Sequence, residues 1–191
     1  NCESLGAKYK NIYAGTFGNL GTFSSYFSHH ISTMEGGIVV TNDKELSHII
    51  KSLRAHGWTR DLPKTNYVKS KVDNNFYESF NFVLPGYNLR PLEISAAIGI
   101  EQIKKLPNII KVRRSNAGIF KNLFCKDNRF LFQKEIGESS WFGFSLIINP
   151  NFAGHINRDE VIKKLSENNI ECRPIVAGNF VKNHVIKYFD Y

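Results

Sequence analysis

The sequence predicts an α/β fold in two parts, a larger one followed by a smaller α/β layer. Three observations carry this expectation. Short, glycine-punctuated strands fill the chain up to Val40. A helix follows with apolar residues at i, i+3, i+4 and i+7. Near the end, strand, helix and strand succeed one another within about 40 residues, the unit of a small α/β layer.

The elements follow in order. Gly15, Gly18 and Gly21 punctuate short strands and turns, and residues 22–27 read as an extended segment. A compact loop, His29-His30-Ile31-Ser32-Thr33-Met34-Glu35-Gly36-Gly37, leads to a strand at Ile38-Val39-Val40. Thr41-Asn42-Asp43 has N-cap chemistry, and residues 44–56 form an amphipathic helix through Leu46, Ile49, Ile50 and Leu53, ended by Gly57. Residues 58–87 are irregular and rich in Lys, Asn and aromatics; a connection that long is usually functional or mobile. Pro91 opens a second helix through Ile103, burying Leu92, Ala96 and Ile103. Pro107 opens a third, running to about Phe124 and bridging the two parts. Residues 141–148 read as an apolar strand. Asn157-Arg158-Asp159-Glu160 starts a helix that buries Val161, Ile162 and Leu165. Asn168-Asn169 then turn the chain into a strand over 170–176. Both ends stop mid-pattern, so the chain reads as a fragment cut at each end.

Of 191 residues, 42% are apolar and 22% charged, which excludes disordered and fibrous classes. No run approaches the ~20 apolar residues of a bilayer span, and NCESLGAKYK has no signal-peptide core. The net charge of +8 suggests an anionic ligand. A nucleic-acid-binding reading is weak, because the cations are scattered. Only Lys104-Lys105, Lys111, Arg113-Arg114 and Lys121 concentrate, as on a solvated helix face. Three widely spaced cysteines, Cys2, Cys125 and Cys172, suit reduced thiols in the cytoplasm rather than a disulfide framework or metal site.

Chemistry concentrates in residues 24–37. A strand delivers hydroxyls and two adjacent imidazoles into a tight loop, and a glycine pair returns the backbone as another strand. Hydroxyls and loop amides suit phosphate, and an imidazole carries protons near neutral pH. Taken alone, two adjacent histidines in a loop are more often solvent-facing or structural than catalytic. No third ligand sits at metal-binding spacing.

This loop resembles the cofactor loop of the DegT/StrS family, the fold-type I, vitamin B6-dependent aminotransferases and dehydratases of nucleotide-linked sugars. In the family's aminotransferases a Ser lies five residues before a Lys that holds the cofactor covalently, and a Gly-Glu-Gly-Gly turn follows. Ser24 takes the Ser position and Glu35-Gly36-Gly37 the turn, but the Lys position is His29. His29-His30-Ile31 resembles the mark of the sugar 3-dehydratases, and no Lys occurs between Lys10 and Lys44. Asn1-Cys2-Glu3-Ser4-Leu5-Gly6-Ala7 resembles the segment after the family's pyridinium-pairing Asp, which would precede Asn1. Glu3 stands where dehydratases carry Glu. Pro85-Gly86-Tyr87-Asn88-Leu89-Arg90 resembles the Gly-Tyr-Asn-x-Arg signature, and His56-Gly57-Trp58-Thr59-Arg60 the loop after the first helix. Residues 175–180 resemble the Gly-Asn stretch of the family's small domain.

The resemblance implies a fold-type I large domain in part (residues 1–108, its N-terminal part missing) and a truncated small C-terminal domain (residues 109–191). It implies a 3-dehydratase using pyridoxal 5'-phosphate (PLP) and pyridoxamine 5'-phosphate (PMP). The reaction removes the C3 hydroxyl of a nucleotide-linked 4-keto-6-deoxyhexose in dideoxysugar and lipopolysaccharide biosynthesis, with glutamate as amino donor. His29 is the implied catalytic base. Glu3, Ser24 and Asn88 are implied cofactor contacts, and His56, Arg60 and Arg90 contacts to substrate or glutamate. Asn88 reaches the cofactor of a neighbouring subunit in relatives, implying a homodimer. With no cysteine between Cys2 and Cys125, no iron–sulfur cluster is expected. The branch resembled is the cluster-free one acting on a GDP-linked 4-keto-6-deoxymannose. A nucleotide-sugar aminotransferase tolerating His is the alternative.

Overall fold

A computed structural model describes residues 1–176 and 178–190. The chain divides into two compact units, residues 1–119 with 135–142, and residues 120–134 with 143–191.

The first unit opens on two small antiparallel ribbons. β1 (Lys8–Tyr9) pairs with β2 (Ile12–Tyr13), and β3 (Gly21–Ser24) with β4 (Gly37–Val40), Ser24 opposite Gly37. The expected extension to residue 27 stops at Ser24. There Tyr26 C=O accepts the His29 N–H at 2.9 Å, and the chain turns into the loop. α1 (Lys44–Arg54) starts where expected, with the Asp43 carboxylate accepting from the Glu45 and Leu46 N–H groups at 2.8 and 3.1 Å. It ends two residues early, because the chain from Ala55 onward pairs elsewhere. Tyr87 N–H donates to Leu53 C=O, His56 N–H to Tyr87 C=O and Leu89 N–H to Arg54 C=O, at 2.7–2.8 Å. Gly57 is required at this join. Its φ is +78°, and a Cβ would collide with the Leu84 carbonyl. The irregular stretch 58–87 holds one helical turn, α2 (Asn75–Glu78).

The two helices expected over 91–103 and 107–124 are one: α3 (Glu93–Phe124), with Pro107 inside it. An interior proline removes an intrahelical hydrogen bond, which favours a break. Packing overrides it. Ile110 lies against Gly6, Ala117 is buried, and the Arg113 and Arg114 side chains donate to four backbone carbonyls of residues 138–142. Leu92, Ala96 and Ile103, expected inside, are exposed, Leu92 at 67% and Ile103 at 58%. The core of this unit instead gathers Ile31, Ala55, Trp58, Leu62, Ala117 and Trp141.

In the second unit β5 (Phe130–Leu131) pairs antiparallel with β6 (Ile147–Ile148), beside a cluster of Phe120, Phe124, Phe132 and Phe144 rings. Arg129 clamps Asp127 at 2.9 and 2.7 Å and holds its carboxyl down to about 2. The strand expected over 141–148 shrinks to β6, since Trp141 adopts φ +49° and cannot continue an extended run. α4 (Arg158–Glu167) has Asn157 as its N-cap, accepting from Asp159 N–H at 2.9 Å. Val161 and Leu165 are half-buried, while Ile162 is exposed. Asn169 turns the chain at φ +60° as expected, but 170–176 form no strand. Apolar alternation marks a segment able to pair, and no strand edge meets this one among the described residues. Of the expected Gly-Asn stretch, Ala177 lies outside the described residues, as does Tyr191 of the terminal stretch. Asn179 caps a short 3-10 turn, Phe180–Lys182.

Candidate active site

Two constellations hold the predicted site residues, both in the first unit. The first is the loop between β3 and β4. Ser25 and Thr33 staple its base: Ser25 N–H donates to Gly36 C=O at 3.0 Å, Thr33 N–H to Ser25 C=O at 2.8 Å, and their hydroxyls meet at 2.6 Å. Ser25 is buried, so this staple is shielded from water and gives the loop a defined shape. Ser24 Oγ accepts from Tyr26 N–H at 3.2 Å, which leaves its own hydrogen to donate.

His29 and His30 leave this loop in different environments. His30 is 3% exposed, and its Nε2 lies 3.1 Å from the Ser140 carbonyl oxygen. A carbonyl only accepts, so Nε2 carries the hydrogen, and the buried Nδ1 is left without a partner. Burial pushes the His30 pKa down, and the Arg113 charge adds to this against the Ser140 bond and Glu3. His30 is therefore a neutral, fixed ring. His29 is half-buried, its ring 5.2 Å from that of Phe142 and 6.2 Å from that of Tyr26. Its Nδ1 is buried and has no hydrogen-bond partner. Glu3 is exposed and approaches this pair through its charge on His30.

The second constellation surrounds Trp58. The Arg60 guanidinium lies 3.5 Å from the Trp58 ring centre, the Arg90 guanidinium 5.5 Å, and the His56 ring 5.1 Å. Asn88 joins it through Oδ1, which accepts from Arg90 Nε at 3.1 Å. The pairing of 84–89 with the end of α1 makes this convergence possible, placing Asn88 opposite Ala55 in an antiparallel bridge. Behind it a buried carboxylate organises the loop. Glu78 accepts from Thr59 Oγ1 at 2.7 Å, from Val72 N–H at 2.9 Å and from Asn81 at 3.4 Å, and these bonds hold its pKa below the usual range. The structure thus holds Ser24 at the end of β3 and His29 in the loop that follows it, with Glu3 within electrostatic reach of His30, and gathers His56, Arg60, Asn88 and Arg90 around Trp58.

Sequence reasoning passed over Phe142, Trp58 and Ser140. Only the fold brings Phe142 and Ser140 to residues more than 100 positions away. Trp58 stands within His56-Gly57-Trp58-Thr59-Arg60, and a large aromatic surface beside Arg60 is the signal the sequence offers for it.

A hydroxyl, a pair of imidazoles and a paired arginine–asparagine site on this α/β scaffold define a class. Residues 1–188 match the DegT/DnrJ/EryC1/StrS aminotransferase family, and the chain belongs to it. Among particular proteins, it is 60% identical to GDP-4-keto-6-deoxy-D-mannose 3-dehydratase of Yersinia pseudotuberculosis, across all of this chain and 49% of that protein. The solved Escherichia coli enzyme of that name, with bound hydrated PLP, superposes at a TM-score of 0.96 and 58% identity over all of this chain and 49% of its own. A further structure of GDP-4-keto-6-deoxymannose-3-dehydratase, holding a trapped PLP-glutamate geminal diamine, superposes at 0.95 and 57%, over all of this chain and 50% of its own. The chain spans about half the length of the relatives it matches. Its fold is that of fold-type I, as expected.

Proposed function

We propose that the whole protein is a PLP/PMP-dependent 3-dehydratase that removes the C3 hydroxyl of GDP-4-keto-6-deoxymannose, with glutamate as amino donor. One observation carries this reading. The loop position that holds the cofactor-binding lysine in the family's aminotransferases is His29, with a buried Nδ1 that no protein group satisfies. The residues fit the cofactor: a His29 imidazole whose Nδ1 has no hydrogen-bond partner among the described residues, a Ser24 hydroxyl free to donate, and an exposed Asn88 amide. When bound, the cofactor supplies an amine for the sugar ketone and a conjugated ring that accepts an electron pair.

The chain's own residues do the rest. Ser24 donates to the cofactor phosphate, and Asn88 does so for the neighbouring subunit of a homodimer. Glu3 borders the ring. His29 takes up a proton and delivers it to the C3 hydroxyl oxygen as that oxygen leaves. Arg90 pairs with the glutamate carboxylate, and His56 and Arg60 line the sugar side. Residues 1–108 belong in this reading to the large cofactor-binding domain and 109–191 to the small one. Three free cysteines support a cytoplasmic setting, and no described helix is long and apolar enough to cross a membrane.

The reaction balances with one glutamate per sugar: the 3-deoxy-4-keto sugar appears with one 2-oxoglutarate and one ammonia. The test is product analysis of the full-length protein with GDP-4-keto-6-deoxymannose and glutamate. Ammonia and a deoxygenated ketose support the reading. Nitrogen retained on the sugar overturns it in favour of an aminotransferase.

A further inference from the structure

A relay of contacts runs from the middle of α3 to the loop histidines. Arg113 donates from one guanidinium nitrogen to the carbonyls of Trp141 and Phe142, at 3.0 and 2.8 Å. Arg114 donates to the Ser139 and Glu138 carbonyls at 3.0 and 3.4 Å and pairs with the Glu138 carboxylate at 3.3 Å. Four consecutive-region carbonyls are thus fixed by two half-buried arginines. Charge-assisted bonds of this kind hold backbone more firmly than neutral ones.

The segment held this way presents two groups to the histidines. The Ser140 carbonyl fixes His30. The Phe142 ring lies against both imidazoles, 5.2 Å from His29 at 36° and 5.8 Å from His30 at 44°. The Arg113 guanidinium also sits 5.8 Å from the Phe142 ring, so it holds Phe142 by backbone and by ring. His29 has a buried Nδ1 without a hydrogen-bonding partner, so no hydrogen bond at that atom sets its rotamer. Aromatic packing is what orients the ring. The usual orienting carboxylate of a histidine base is replaced here by an apolar wall.

We propose that Phe142, braced by Arg113, is the positioning residue that orients the His29 imidazole for proton transfer. This rests on the reading of His29 as the base. Phe142 and Arg113 act through the histidine and not on the substrate. A small misplacement of a catalytic group costs rate far more than it costs affinity.

The experiment uses the full-length holoenzyme and measures ammonia release for Phe142→Leu, Arg113→Met, Arg113→Lys and His29→Asn. Phe142→Leu is expected to lower kcat about tenfold or more, with KM for the nucleotide sugar within about twofold and an unchanged melting temperature. Arg113→Lys, keeping one charged donor, is expected to recover most of what Arg113→Met loses. A wild-type kcat in Phe142→Leu, or a loss confined to KM, overturns the proposal while His29→Asn remains inactive. Should Arg113→Met fail to fold, Phe142→Leu decides alone. A wild-type rate in His29→Asn overturns the functional reading itself, and the positioning role with it.

Discussion

At the scale of single residues, the two adjacent histidines sit in different environments, His30 buried and bonded to the Ser140 carbonyl, His29 half-buried against Phe142. Under the proposed function, His29→Asn keeps hydrogen bonding but cannot carry a proton, so dehydration should fall by about 10²–10⁴-fold while cofactor binding persists. Ammonia release and the cofactor absorbance check the two halves of that statement. His29→Lys should trap PLP covalently and give a new visible band, whereas borohydride treatment of the wild type should leave no reduced cofactor on residues 11–43, which hold no lysine. His30 yields a pH statement. Its folded pKa lies below the unfolded value of about 6.5, so the native state binds fewer protons than the unfolded one in that window. Its contribution is present above the unfolded value and is lost as pH falls through the folded one. Arg113, Glu3 and His29 are the charged or titratable groups facing it. His30→Gln retains a donor for the Ser140 carbonyl without a proton to gain. It should lose less melting temperature than wild type between pH 7.5 and 5.

At the scale of elements, two local rules met stronger packing. Pro107 reads as a helix start, yet α3 passes through it. Pro107→Ala restores the N–H that can reach the Ile103 carbonyl, and the gain in stability should be about 1–3 kcal/mol by denaturant titration. The irregular loop over 58–87 lacks sheet or long helix, and a buried carboxylate organises it instead. Glu78 has a lowered pKa from its bonds to Thr59, Val72 and Asn81. Its support is therefore present above the ordinary carboxylate range and fades as pH drops below it. Limited proteolysis within 58–87 should accelerate in Glu78→Gln at pH 7, and in wild type only at a pH well below the ordinary carboxylate range, while wild type at pH 7 resists. Equal cleavage of Glu78→Gln and wild type at pH 7 would remove Glu78 from that role.

At the scale of the molecule, apolar surface is the dominant feature. Phe76 is 92% exposed, and Ile94, Ile100 and Ile103 of α3, with Leu92 just before it, are exposed. Isolated exposed apolar residues are ordinary, but a run along one helix is not. Residues 1–191 expressed by themselves should bind a hydrophobic dye strongly and associate with concentration. The full-length protein should bind far less dye. Comparable fluorescence per mole from both would contradict this account of the surface.

Much of the site was legible from residue order because its signals are local. A glycine-returned loop with Ser24 and His29, an Asp43 cap before an apolar period, and an Asn157 cap before α4 each depend on neighbours within a few positions. Their steric and hydrogen-bonding requirements are met inside one segment. Pairing and burial are not local quantities. Whether 170–176 finds a strand edge, whether Pro107 breaks a helix and whether Leu92 is covered all depend on what the rest of the chain brings alongside. The Trp58 cluster required 84–89 to fold back on α1. The neutral state of His30 and the wall against His29 required Ser140 and Phe142, delivered by two arginines of α3. Residue types and their spacing determined which chemical groups the site could offer, and long-range packing alone decided the neutral state of His30 and the placement of both rings.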